Sequence, residues 1–236
     1  MSEYVQQSQA LPVEQTEELQ RAFLIKVYSW MFAGLMITGI TALFTVSSEM
    51  LLELVFSNRF VFFGLIIAEL GLVIWLSARI ERMTAVAATT AFLVYATLSG
   101  LTLSVVFLAY TAESLASTFF VTGGTFGVMS AYGYLTKRDL TSFGSFFMMG
   151  LVGVILASVV NIWLGSDTLY WIVTYVGILI FVGLTAYDTQ KIKNMSVVSL
   201  QGGEVEQKGA IMGALRLYLD FINLFLLLLR VMGSRR

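Results

Sequence analysis

Cysteine and histidine are both missing from the 236 residues, and proline occurs once, at Pro12. Without cysteine there is no disulfide and no thiolate nucleophile or metal ligand. Without histidine, haem ligation through imidazole and most zinc sites go as well. The side chain that titrates nearest neutrality is also absent, so proton sensing falls to carboxylates. With the one proline so near the start, no spanning helix is kinked by proline. Charge is scarce too. Only 12% of residues are charged and the net charge is −1. The clustered basic footprint needed for nucleic acid is not there.

What is there is apolar. Hydrophobic residues make up 58% of the chain and the mean hydropathy is +0.84. A soluble domain has about half apolar and about a quarter charged residues. Seven apolar segments stand between polar breaks, at 22–46, 60–79, 84–110, 115–135, 142–164, 169–190 and 210–231. Each is long enough to cross a hydrocarbon core of about 30 Å at about 1.5 Å per residue. The runs are continuous rather than alternating, which favours helices over barrel strands. The expected fold class is therefore an all-α integral membrane protein with seven transmembrane helices in a lipid bilayer. The opening MSEYVQQSQALPVEQTEELQ is polar and acidic, without the basic start and short apolar core of a secretory signal. Residues 1–20 are expected to be a polar cytoplasmic tail, and 21–236 the membrane domain.

Basic residues set the orientation. With the N-terminus inside, the cytoplasmic segments carry Arg21, Lys26, Arg79, Arg82, Lys137, Arg138, Lys191, Lys193 and Lys208. The opposite side carries Arg59, Arg230, Arg235 and Arg236. Nine against four predicts a cytoplasmic N-terminus, and seven spans then place the C-terminus outside. Gly123 and Gly127 make a GxxxG spacing that Ala131 continues. Small residues so spaced let helices approach closely, and packing within the molecule is the expectation. No internal repeat points to an inverted-repeat transporter.

Several polar residues fall inside the spans: Glu69, Asn161, Asp188, Arg216, Asp220 and Asn223, with Arg79 closing span two. An ionised residue at a helix centre costs roughly 2.5–3.5 kcal/mol on translocon scales. Such groups face the bundle interior, pair, and mark ion or substrate paths. Counting from the span ends, Asp188 and Asp220 lie within one or two helical turns of each other in depth, in the same half of the membrane as Arg79. Two carboxylates close together in low dielectric do not easily both ionise and share a proton. Arg79 would compete for Asp188, so that Asp188 changes partner between two states. Paired carboxylates also offer the hard oxygens that Ca²⁺ takes. Plainer readings stand beside these. Arg216 and Asp220 are spaced for an intrahelical ion pair. Asn223 is placed to bond a neighbouring helix, Asn161 to cap, and Trp163, Tyr170 and Trp171 to form an interfacial belt.

The segments 183-GLTAYDTQKIKN-194 and 217-LYLDFINLFLLLLR-230, with 137-KRDL-140 between spans four and five, closely resemble the Bax inhibitor-1 (transmembrane Bax inhibitor motif) family, in its bacterial inner-membrane branch. The resemblance covers the chain from about residue 20. It implies six helices surrounding a central seventh and a pH-sensitive calcium leak. The family's paired aspartates fall on Asp188 and Asp220, its arginine latch on Arg79 and its acidic residue of span two on Glu69. Calcium would then be the permeant ion, held transiently by Asp188 and Asp220, with no resident cofactor. The alternative is a modulator that binds a membrane-bound protease or other partner, with the N-terminal tail as bait. An intramembrane aspartyl protease fits poorly: Asp220 follows Leu217-Tyr218-Leu219 instead of a GxGD motif, and Pro12 cannot supply a Pro-Ala-Leu element. No enzyme is expected. A retinal protein is set aside because no lysine follows Lys208 to form a Schiff base.

Overall fold

The computed structural model describes residues 13–195 and 202–236. Its elements are α1 (Val13–Ser47), a short α2 (Glu49–Phe56), α3 (Arg59–Arg79) with a 3-10 turn at Ile80–Arg82, α4 (Ala85–Ala109), α5 (Ala112–Leu135), α6 (Thr141–Leu164), α7 (Asp167–Met195) and α8 (Gly203–Met232). Six of these helices are long and apolar enough to cross a membrane. α5 has the length but is not among the six: it is diluted by Gly123, Gly124, Gly127 and by Ser and Thr residues. α2 was not expected from the apolar pattern. α1 takes in residues 13–20 of the expected tail, and residues 1–12 lie outside the described part of the chain.

The breaks between helices are set by short polar side chains. Asn58, Thr84 and Thr111 accept hydrogen bonds from the backbone N–H groups of Phe60, Ala87 and Ser114, at 2.9, 3.2 and 3.3 Å. Each satisfies one N–H that a helix start leaves open. Asn161 caps as expected, its Oδ1 accepting from Ser166 N at 3.0 Å, and Gly165 in the left-handed region (φ 60°) ends α6. In the KRDL loop, Asp139 Oδ1 accepts from Thr141 N at 2.9 Å. Hydrogen bonds from the Thr141 hydroxyl and N–H hold the Asp139 carboxyl below its usual range. A depressed carboxylate stabilises the fold above its ordinary titration range and loses that contribution as the pH falls through it. Asp139→Ala should therefore melt below wild type at neutral pH and level with it in acid. An equal gap at both pH values would remove the cap from the account.

α8 is the most buried of the long helices. It packs against α1, α4, α5 and α7. α3 leans chiefly on α4, and α6 on α7, so the two outer helices flank α8 without enclosing it. The outward faces are greasy: Phe60, Phe120, Ile162 and Trp163 are each more than three-quarters exposed. In lipid, apolar side chains drive no association, so contact quality decides packing. Glycines supply it at two seams. A Cβ at Gly100 would meet Thr38 O of α1 at 2.7 Å, and one at Gly133 would collide with the backbone of Ala186 in α7. The GxxxG row is different. A Cβ at Gly123, Gly124 or Gly127 meets nothing, so the row faces outward and the expected internal packing does not occur there.

One end of the bundle is tied by polar contacts between α1, α3, α4 and α8. Lys26 Nζ meets Glu206 Oε1 at 3.0 Å, Lys208 donates to Glu81 O at 3.1 Å, and Ala85 N donates to Glu204 at 3.4 Å. At the other end the C-terminus closes on the α4–α5 turn, with Thr111 N donating to Ser234 O and Arg236 N to Ala109 O. The described ends of the chain thus lie at opposite ends of the bundle.

Candidate intramembrane carboxylate site

Asp188 sits about two turns before the end of α7, and Asp220 about five turns into α8. Their exposures are 9% and 5%. Both side chains line one cavity and lie close enough to interact electrostatically, so the structure brings the two expected carboxylates to one site. Asp220 Oδ2 has no hydrogen-bond partner among the described residues. An unpaired buried oxygen is costly, and a proton shared with Asp188 is the economical way to satisfy it.

The arginine beside the pair is Arg216. Its Nη1 lies 3.6 Å from Asp188 Oδ1. The plainer reading, an intrahelical pair of Arg216 with Asp220, is not the contact made: Arg216 bridges α8 to α7. Arg79, the expected partner of Asp188, is exposed at the end of α3. The reason is geometric. α3 packs on α4, away from α7, whereas Arg216 projects from α8 one turn before Asp220 and directly alongside α7.

These groups line a cavity of about 670 Å³ that includes Ser77 of α3, Asp188 and Lys191 of α7, and Arg216, Asp220, Asn223 and Arg230 of α8, with apolar side chains of α6 opposite. It occupies the side of α8 left open between α3 and α6. From Arg216 to Arg230 is 14 residues, about 21 Å along the helix, which is most of a hydrocarbon core. Arg79, two residues beyond Ser77, is not among the lining residues. Asn223 donates from Nδ2 to Leu219 O of its own helix at 2.8 Å, not to a neighbour as expected, and its oxygen is left for the cavity side. Arg230 rests over the Tyr170 ring at 5.3 Å, beside Trp171, where an interfacial aromatic belt was expected.

Glu69 belongs to a different network. It accepts from Thr102 Oγ1 at 2.7 Å and Ser99 Oγ at 3.2 Å, both on α4. Behind it, Tyr218 is fully buried and its hydroxyl lies 2.8 Å from Thr38 Oγ1. Thr38 Oγ1 is also 2.9 Å from Ala96 O and 3.0 Å from Gly34 O. Threonine has a single hydroxyl proton. With that proton on a carbonyl, the Tyr218 hydroxyl donates to Thr38 and joins α8 to α1. The Phe92 and Tyr95 rings pack edge-on against Tyr218 at 5.9 and 5.8 Å. Sequence reasoning missed Tyr218, Thr38, Ser99 and Thr102. The one signal was a tyrosine two residues before an intramembrane aspartate. Tyr218→Phe keeps the ring contacts and loses one hydrogen bond, about 0.6–1 kcal/mol, a small drop in melting temperature in detergent. A drop as large as that of Tyr218→Ala would mean that the hydroxyl, and not the ring, holds this junction.

Residues 20–236 match the family model described as Inhibitor of apoptosis-promoting Bax1. Among curated relatives, the chain is 53% identical over 217 residues to the Inner membrane protein YbhL of Escherichia coli strain K12, covering 92% of this chain and 93% of that protein. It is 47% identical over 222 residues to an uncharacterized protein of Rickettsia prowazekii, covering 93% and 92%. It is 35% identical over 213 residues to an uncharacterized membrane protein of Streptococcus pyogenes serotype M3, covering 89% and 92%.

Proposed function

The chain belongs to the Bax inhibitor-1 family, and from that premise we propose that it is a pH-sensitive calcium leak of a bacterial inner membrane, gated by the Asp188–Asp220 pair. The observation that carries this reading is the presence of two buried carboxyl groups in one cavity that follows α8 for most of a membrane's depth. Sharing one proton, the pair carries a single negative charge that Arg216 balances, and it plugs the space between α7 and α8. Ionised, it is a pair of hard oxygen ligands. Ca²⁺ takes six to eight oxygens, more than two carboxylates supply, so water in the cavity completes the shell and binding stays transient. That suits a conduit, where an ion must leave as readily as it enters.

Arg216 sets the resting state by holding Asp188. Arg79, at the end of α3, is the alternative partner if α3 swings toward α7. All seven long helices, α5 included, are read as spans, with the N-terminal end cytoplasmic in keeping with nine basic residues against four.

Purified protein in calcium-loaded vesicles tests this directly. Wild type should leak Ca²⁺ with a rate that depends on pH, and Asp188→Asn and Asp220→Asn should flatten that dependence while the proteins still melt cooperatively. Equal fluxes and pH profiles in all three would end the reading.

A further inference from the structure

A second cavity, of about 430 Å³, lies between α1 and α5 and reaches Thr189 of α7. It opens on the outer surface, so in a membrane it faces lipid. Its chemistry is graded along its length. Arg21 stands at the mouth, near the start of α1. Tyr28 and Thr189 follow, with their hydroxyls 3.2 Å apart. Deepest come Met31, Phe126 and Gly127. From Arg21 to Met31 is about 15 Å at the helical rise.

Two features of this trough are unexplained by the fold itself. The first is Ser130. It is only 7% exposed, it lines the trough one turn nearer the mouth than Phe126 and Gly127, and its hydroxyl has no partner among the described residues. A helical serine ordinarily returns its proton to a carbonyl one turn back, as Ser145 and Ser158 do here. A buried donor left idle is costly. The second is the floor of small residues. Gly127 has open space where a side chain would be, and Ala131, one turn on, is exposed. Together they keep the trough deep where α5 would otherwise fill it.

Cation, then hydroxyl donor, then apolar slot is the order of phosphate, ester carbonyl and acyl chain in a membrane lipid. We infer that the α1–α5 trough binds a glycerophospholipid of the leaflet it opens onto. The phosphate lies against Arg21, an ester carbonyl accepts from Ser130, and one acyl chain lies over Gly127 and Ala131. The occupant completes the outer surface of α5, the long helix with the weakest claim to span the bilayer by its own apolarity. This site shares no residue with the carboxylate pair, so it stands or falls apart from the calcium reading.

Native mass spectrometry of the full-length protein released from detergent, with added dioleoyl-phosphatidylglycerol, reads the site. Wild type should hold one tight phospholipid. Gly127→Leu fills the slot from an open position and should cut occupancy about tenfold, while its melting temperature without added lipid stays at the wild-type value. Arg21→Gln and Ser130→Ala should each weaken binding severalfold. Dioleoylglycerol, which lacks the phosphate, should bind wild type no better than phosphatidylglycerol binds Arg21→Gln, and inorganic phosphate alone should not bind. Equal occupancy in wild type and Gly127→Leu overturns the proposal. So does equal binding of dioleoylglycerol, or a wild-type dimer without lipid that Gly127→Leu dissociates, which would make the trough a seam between two copies.

Discussion

Gly133→Ala breaks the docking of α5 on α7, while Gly127→Ala, less than two turns away on the same helix, leaves the protein at least as stable as wild type. The difference lies in what a methyl group would meet. At Gly133 the obstacles are the carbonyl oxygen, carbonyl carbon and Cα of Ala186. Backbone cannot rotate aside, so the helices must separate along the whole seam. Overpacking costs about 1–3 kcal/mol and occasionally more, and a backbone obstacle places Gly133→Ala at the upper end. At Gly127 the methyl group enters open space, and glycine to alanine in a helix gains up to about 1 kcal/mol. Gly144 and Gly183 fall between, because the obstacles there are the rings of Tyr187 and Phe147, which can turn at some cost. At about 2–4 °C per kcal/mol for a chain of this size, the melting temperature of Gly133→Ala drops by about 6–12 °C and that of Gly127→Ala does not drop. Coincident melting of Gly133→Ala and wild type would show that α5 and α7 stand farther apart than described. The consequence reaches the carboxylate site, since Ala186 is two residues before Asp188.

The long helices were legible because lipid imposes a length. The expected 60–79, 142–164 and 210–231 fall within α3 (Arg59–Arg79), α6 (Thr141–Leu164) and α8 (Gly203–Met232). Azimuth was not legible. In a soluble helix the apolar stripe marks the buried side, but here lipid and core both accept apolar residues, and the buried face carries little contrast. That is why the GxxxG row of α5 was assigned to internal packing and turns out to face outward. Pairing suffers the same way. Depth along a helix placed Asp188 level with Asp220, and they share one cavity. Depth also placed Arg79 near Asp188, but α3 stands behind α4, and Arg216 takes the position. The Glu69–Ser99–Thr102 contact and the Tyr218–Thr38 junction were invisible for a further reason: serine, threonine and tyrosine are common in spans, and only the crossing of α1, α3, α4 and α8 makes these few matter.

Arg216→Gln is expected to lose its effect when Asp188 is already asparagine, whereas Arg79→Gln and Asp188→Asn add independently. The 3.6 Å bridge joins an arginine side chain that is 36% exposed to a carboxylate side chain that is 12% exposed. A fully exposed pair is worth at most about 1 kcal/mol, and breaking a fully buried one costs about 3–5 kcal/mol. This pair lies between, and Lys191, which lines the same cavity and acts on Asp188, keeps it toward the lower figure once the guanidinium is removed. A coupling of about 1–2 kcal/mol in thermal stability is the expected value. Unconnected sites add within about 0.5 kcal/mol, and Arg79, exposed at the end of α3, should behave so. The same proteins in calcium-loaded vesicles read the proposed leak instead of the resting fold. A coupling of about 1.4 kcal/mol there appears as a tenfold departure from multiplicative rates. If Asp188 exchanges partners during gating, Arg79 and Asp188 couple in flux while staying additive in stability. Additivity of Arg216 with Asp188 in both measurements would remove Arg216 from the gate and leave the carboxylate pair to hold itself closed by its shared proton alone.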